Sequence, residues 1–150
     1  MAFESKYADN AEKSIGLSFI KAYNIWHRKI KNKLGDLGLT HPQFVVLASL
    51  GYLAQQQEEV KQIDIANNAD IDVMTCSTIV RNLEKLALVY RCTSRQDTRA
   101  KVLSITDEGN QILSQALTLV EGVDTAFFSV LDDDQAVFNQ LLQELIAKGK

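Results

Sequence analysis

Two adjacent stretches hold the residues best suited to do chemistry. Asp72 to Leu86 sets Met74, Thr75, Ser77, Thr78 and Arg81 on the first turns of a helix-like segment, and Leu88 to Thr106 carries Arg95, Asp97, Arg99 and Lys101 in a basic hairpin. Arg81 follows Thr78 and Ser77 by three and four residues, so all three share a helix face. Hydroxyls and a guanidinium there can bond base edges or phosphates, and methyl groups can meet thymine. Asp97 and Arg99 stand at i and i+2 of an extended segment, where side chains point the same way. Such a helix fits a DNA major groove, and an arginine-tipped hairpin fits the minor groove beside it. The plain alternatives are a solvated helix face, an Arg81–Glu84 ion pair and a surface Asp97–Arg99 pair worth little energy.

Catalysis finds little support. His27 and His41 are the only histidines, and there is no Ser-His-Asp arrangement, glycine-rich phosphate loop or HExxH. Neither a cofactor nor a metal is expected. Cys76 and Cys92 form no ligand or disulfide pattern, which suits a reducing compartment, and Cys76 reads as a small buried residue rather than a redox switch.

The chain has 150 residues, 46% of them hydrophobic and 23% charged, enough for one well-buried core. No apolar run approaches the roughly 18 residues of a membrane span. The first twenty residues, with Glu4, Asp9 and Glu12, do not read as a signal peptide, so the expected location is the cytoplasm. A net charge of −3 argues against nucleic acid only if it is evenly spread. It is not: Asp72 to Ile105 holds six basic residues against three acidic ones, whereas Thr106 to Lys150 holds two against eight. Phosphates respond to charge within a Debye length of about 10 Å, so the local +3 matters more than the total.

The elements that must position these residues are mostly helical. Ser14 to Leu34 repeats apolar residues at Ile15, Phe19, Tyr23, Trp26, Ile30 and Leu34, one stripe of a long amphipathic helix that Gly35 and Gly38 end. Thr40 is an N-cap for a second helix to about Gln55, followed by the polar connection Gln55 to Glu59. Val60 to about Asn68 forms a short helix buried through Ile63, Ile65 and Ala66. Asn67 to Asp70 is turn chemistry, and Asp72 caps a helix whose Ile79, Leu83 and Leu86 face the core. This is the helix-turn-helix order. Leu88–Thr93 and Arg99–Ile105 are the expected strands. Thr106 caps a fifth helix, with Ile112, Leu113, Ala116, Leu117, Val120, Val123 and Phe127 apolar, and a last helix follows Asp132. The first and last helices are apolar over more arc than a small domain covers, which predicts a homodimer through both termini.

With these pieces in order, the chain resembles the MarR family of transcriptional regulators from about residue 39 to 113. The resemblance rests on Leu39-Thr-His-Pro-Gln-Phe-Val-Val-Leu47, Gln62-Ile-Asp-Ile-Ala66, Leu83-Glu-Lys-Leu-Ala-Leu-Val-Tyr-Arg91, Asp97-Thr-Arg99 and Leu103-Ser-Ile-Thr-Asp-Glu-Gly109. Each is short, and together they are specific. Departures are Ser77-Thr78 where the family often has Thr-Arg, Ala87 where it usually has Gly, and Lys61 where a Thr commonly caps the third helix. Arg81, one turn later, stands in for the missing arginine.

The resemblance implies a mainly α fold with a small β-hairpin wing. Residues 39-106 form the winged helix-turn-helix, and residues 1-38 with 107-150 form the helical dimerisation region. It implies a repressor that binds double-stranded DNA at a pseudo-palindromic operator, with Asp97 orienting Arg99 into the minor groove and Arg95 and Lys101 on phosphates. It also implies a small aromatic effector in a cleft between the first, second and fifth helices, lined by Tyr23, Trp26, His27, His41 and Phe44. The competing reading is a winged-helix protein-interaction module without DNA binding.

Overall fold

The structure, a computed structural model, describes residues 2–150. After a 3₁₀ turn at Ala11–Lys13, the order is α1 (Ile15–Gly35), α2 (His41–Ala54), α3 (Gln62–Ala69), α4 (Val73–Lys85), β1 (Val89–Thr93), β2 (Lys101–Ile105), α5 (Asp107–Phe128) and α6 (Gln135–Lys148). A second 3₁₀ segment, Ser129–Asp134, joins the last two helices. Among the described residues no helix is long and apolar enough to cross a membrane.

Local side-chain chemistry starts four of the six α-helices. Ser14, Thr40, Asp72 and Thr106 accept bonds from the amides of Leu17, Gln43, Thr75 and Gly109, satisfying donors a helix leaves orphaned. At α2 the Gln43 side chain returns the favour, its Oε1 accepting from the Thr40 amide at 3.0 Å. Lys61 offers α3 no cap, but Asp64 Oδ2 accepts from the Lys61 amide at 2.9 Å, so half of a capping box survives.

Three helix ends share one device. Leu39, Ile71 and Leu88 donate to the carbonyls of Leu34, Ala66 and Leu83, while the residue before each donates to Gly35, Asn67 and Glu84. This paired closure needs a left-handed residue at the turn. Gly38 (φ 72°), Asp70 (φ 55°) and Ala87 (φ 60°) supply it. Ala87 therefore keeps the turn into the wing despite carrying a Cβ.

The core surrounds α2, whose Phe44, Val46, Leu47 and Leu50 are buried against Ile30 and Leu34 of α1, Ile65 of α3, Val80 and Leu83 of α4, and Leu113 of α5. Gly109 allows a close approach at the base of the wing: a Cβ there would lie 2.1 Å from the Leu88 carbonyl oxygen. β1 and β2 pair antiparallel from Val89↔Ile105 to Thr93↔Lys101, and the Leu103 amide donates to Val60 O at 2.8 Å, tying the α2–α3 connection to β2.

The strands are shorter than the sequence predicts. Leu88 belongs to the helix closure, and residues 97 to 100 form a tight turn in which the Ala100 amide donates to Asp97 O. Two expected core residues are exposed. Ile63 sits about 200° around α3 from buried Ile65, and Leu86 lies where α4 has already begun to unwind. The amino-terminal half of the α1 stripe is also bare, with Ile15 83% and Phe19 58% exposed, and α6 buries none of its residues.

Candidate nucleic-acid interface

α4 divides its residues by face. Cys76, Val80 and Leu83 are buried, while Met74, Thr75, Thr78 and Arg81 are exposed and Ser77 is half-buried. The five outward residues line one shallow depression, so the structure brings together the helix residues the sequence singled out. Met74 is 82% exposed.

Much of the hydroxyl chemistry on this face is already directed. Thr75 Oγ1 donates to Asp72 Oδ2 at 2.7 Å and its amide to Oδ1 at 2.8 Å. These bonds hold the Asp72 carboxyl below its ordinary range. Thr78 Oγ1 donates to the Met74 carbonyl and receives a long contact, 3.5 Å, from Arg81 Nη2. Both threonine hydroxyl protons are thus used within the helix, which leaves their oxygens to act as acceptors. Glu84 is engaged by Arg91 (Nε to Oε1, 2.6 Å), which leaves Arg81 without an ion pair among the described residues. Arg91 also donates to Gln62 Oε1 at 3.3 Å and so links the wing, α3 and α4.

At the wing tip, Asp97 Oδ1 accepts from both the amide (3.0 Å) and Nε (3.2 Å) of Arg99. Those bonds, the amide first, hold the Asp97 carboxyl below its ordinary range. The Arg99 side chain is otherwise 91% exposed, its guanidinium aimed by a neighbouring carboxylate. Lys101 Nζ donates to Thr93 Oγ1 across the hairpin at 3.1 Å, and the Arg95 side chain is exposed.

One residue that holds the wing escaped the sequence. Glu59, within the stretch that reads only as a polar connection, accepts from Ser94 Oγ at 2.6 Å and from the Arg95 amide at 2.8 Å. Its carboxyl is held below the usual range, chiefly by the Ser94 hydroxyl. Contacts spanning 35 and 36 positions leave no periodic signal, and only the turn residues Ser94 and Asp97 hint that a tip needs anchoring.

Of the five residues expected in an effector cleft, Tyr23, Trp26, His27 and His41 meet in one aromatic cluster, and Phe44 stands apart from it. Tyr23 and Trp26 line an apolar groove of about 600 Å³ whose other walls are α5, α6 with the two residues after it, and Asp70 of the α3–α4 turn, not α2. Phe44 is off that groove because α2 is the central helix and Phe44 packs the core. His27 and His41 are off it too, since they stack on each other at 4.9 Å between ring centroids, with Tyr23 over His27 and Trp26 edge-on to His41. Trp26 Nε1 donates to Asp124 Oδ1 at 2.7 Å, joining α1 to α5. Among the described residues no group of three or more His, Cys, Asp or Glu could hold a metal. Burial pushes the Cys76 thiol up.

A helix-turn-helix whose second helix packs against a β-hairpin carrying a directed arginine is a winged helix-turn-helix. The family model described as MarR family matches residues 39–101. The uncharacterized HTH-type transcriptional regulator YdcH of Bacillus subtilis is 35% identical over 146 residues, which cover 97% of this chain and 98% of that protein. On these grounds the chain belongs to the MarR family, whose members regulate transcription and are not enzymes. Among solved structures, the Staphylococcus aureus MepR–DNA complex matches with a TM-score of 0.80 at 25% identity, covering 94% of this chain and all of that one. Bordetella bronchiseptica BpsR, described with regulation of its DNA binding by 6-hydroxynicotinic acid, matches at 0.79 and 20% identity, over 93% and 96%.

Proposed function

We propose that this chain is a cytoplasmic transcriptional repressor that binds a pseudo-palindromic double-stranded operator as a homodimer. The observation that carries the reading is the pairing of two exposed features. One is the α4 face of Met74, Thr75, Ser77, Thr78 and Arg81; the other is Arg99, aimed from the wing by Asp97. In this reading the α4 face reads the major groove, Arg99 enters the minor groove, and Arg95 and Lys101 meet phosphates. The MepR match, a protein solved on DNA, supports it. Residues 39-106 are then the DNA-binding unit, and residues 1-38 with 107-150 the dimerisation region. The bare apolar faces of α1 and α6 support this division, since a second copy would remove them from water.

A small aromatic effector is the finer part of the proposal. BpsR responds to such a molecule, and the aromatic groove at Tyr23 and Trp26 has the size and lining of a small-molecule site. Electrophoretic mobility with DNA from upstream of the protein's own gene tests the core of the reading. Retardation that weakens steeply with salt supports it. A chain that retards no such fragment even at low salt is instead a protein-interaction module.

A further inference from the structure

The wing tip is assembled around the Ser94 hydroxyl. Ser94 is 2% exposed, and its Oγ accepts from the amides of both Gln96 and Asp97 at 3.1 Å. Those bonds occupy both lone pairs, so the hydroxyl proton must go elsewhere. It goes to Glu59 Oε2 at 2.6 Å, while Oε1 of the same carboxylate takes the Arg95 amide at 2.8 Å. One carboxylate thus satisfies two donors on the turn that carries Arg95, Asp97 and Arg99. Val60, the next residue, accepts from the Leu103 amide, so the anchor is itself fixed to β2.

We infer that Glu59 is a positioning residue for DNA recognition: reaching from the α2–α3 connection, it holds the wing-tip turn and so sets where Arg95 and Arg99 point. The inference rests on the DNA-binding reading proposed above. It runs against simple charge arithmetic, because an acidic group beside phosphates repels them. No neutral side chain does the same work. Gln offers one acceptor oxygen, and its amide nitrogen would meet either the Ser94 proton or the Arg95 amide donor to donor. Hydrogen bonds to a charged acceptor are the stronger kind, and the turn's other hydrogen bonds all lie within the hairpin itself.

The test compares the full-length wild type with Glu59→Gln, Ser94→Ala, Arg99→Ala and the Glu59→Gln/Arg99→Ala double variant. Trypsin reports the tip without DNA: Glu59→Gln should speed cleavage after Arg95 and Arg99 several-fold while the melting temperature stays near wild type. On the operator, Glu59→Gln and Ser94→Ala should each bind about tenfold more weakly. The slope of log affinity against log salt should flatten by about one to two. Once Arg99 is gone, Glu59→Gln should cost much less, since it acts through that arginine. The inference is overturned if tip cleavage is unchanged or operator binding is unchanged or tighter. It also falls if the two substitutions add fully, or if the melting temperature collapses so that the role is support of the fold. Faster cleavage together with a wild type that binds no operator would refute the DNA-binding reading instead.

Discussion

His27 Nδ1 and His41 Nδ1 lie 2.7 Å apart, with their rings stacked 20° from parallel. A hydrogen bond at that distance needs a proton on one nitrogen and a lone pair on the other, so the two neutral rings take opposite tautomers. Burial, then the charge of His27, holds the His41 pKa below its ordinary value, while Asp124 pulls weakly the other way. His41 also opens α2, where the helix dipole opposes a cation.

A pH dependence of stability follows. With the native His41 pKa depressed, the unfolded chain takes up a proton more readily than the folded one. The His41 contribution is complete above about pH 6.5 and is lost as pH falls below that value. Glu59, Asp72 and Asp97 are also held low, but as carboxylates their contributions fade only below about pH 4. The urea midpoint should therefore drop between pH 7.5 and 5.5, and His41→Asn should flatten the drop. A wild-type midpoint that does not move over this range counts against the coupling.

At the wing, Arg99→Ala should weaken operator binding by about 1–3 kcal/mol. Asp97→Ala should weaken it as well, although it removes a negative charge, because Arg99 loses both bonds that aim it. Fluorescence anisotropy on a labelled operator gives the sign. Tighter binding by Asp97→Ala would mean charge repulsion outweighs orientation.

Two substitutions at the base of the wing should move stability in opposite directions. Ala87→Gly relieves a left-handed alanine and should stabilise by about 0.5–1 kcal/mol. Gly109→Ala forces a methyl group against the Leu88 carbonyl and should destabilise by about 2 kcal/mol or more. Chemical denaturation of both variants checks the pair. Equal midpoints for Gly109→Ala and wild type would mean the α5 start has more room than its geometry allows.

Removing the chain after Asp132 deletes α6 and should leave a monomer with no specific operator binding. Sedimentation of the intact protein as a monomer at micromolar concentration would defeat the dimer proposal outright.

Trp26 is the only tryptophan and lines the groove, so its emission reports an occupant directly. Titration with salicylate-like aromatics should change that emission and weaken operator binding together, as a ligand with different affinity for two states must. Emission that changes while operator affinity stays constant would make the groove a binding site without regulatory effect.

Local signals carried most of the fold. Thr40, Asp72 and Thr106 were legible as caps because a cap is settled within three residues. The outward face of α4 was legible because helical spacing separates Thr75, Thr78 and Arg81 from Cys76, Val80 and Leu83. What stayed hidden depends on distant parts of the chain. The Glu59–Ser94 bond spans 35 positions, and the His27–His41 pair meets only because α1 and α2 pack side by side. Phe44 and Trp26 look alike as aromatic residues on amphipathic helices, yet only the packing of α2 at the centre decides that Phe44 is core and Trp26 a groove wall.

The Thr106 junction has a mechanical consequence. Its hydroxyl donates to Ala87 O at 2.7 Å and its amide to Leu88 O at 3.0 Å, so the first turn of α5 is fastened to the root of the hairpin. Near the other end, Asp124 is fastened to α1 through Trp26. A helix of 22 residues is about 33 Å long. With a grip at each end it has the form of a lever: over the roughly 27 Å from Asp124 to Thr106, a tilt of about 5° at the Asp124 grip would carry the wing root about 2.4 Å, a large part of the ~3.4 Å rise between neighbouring base pairs.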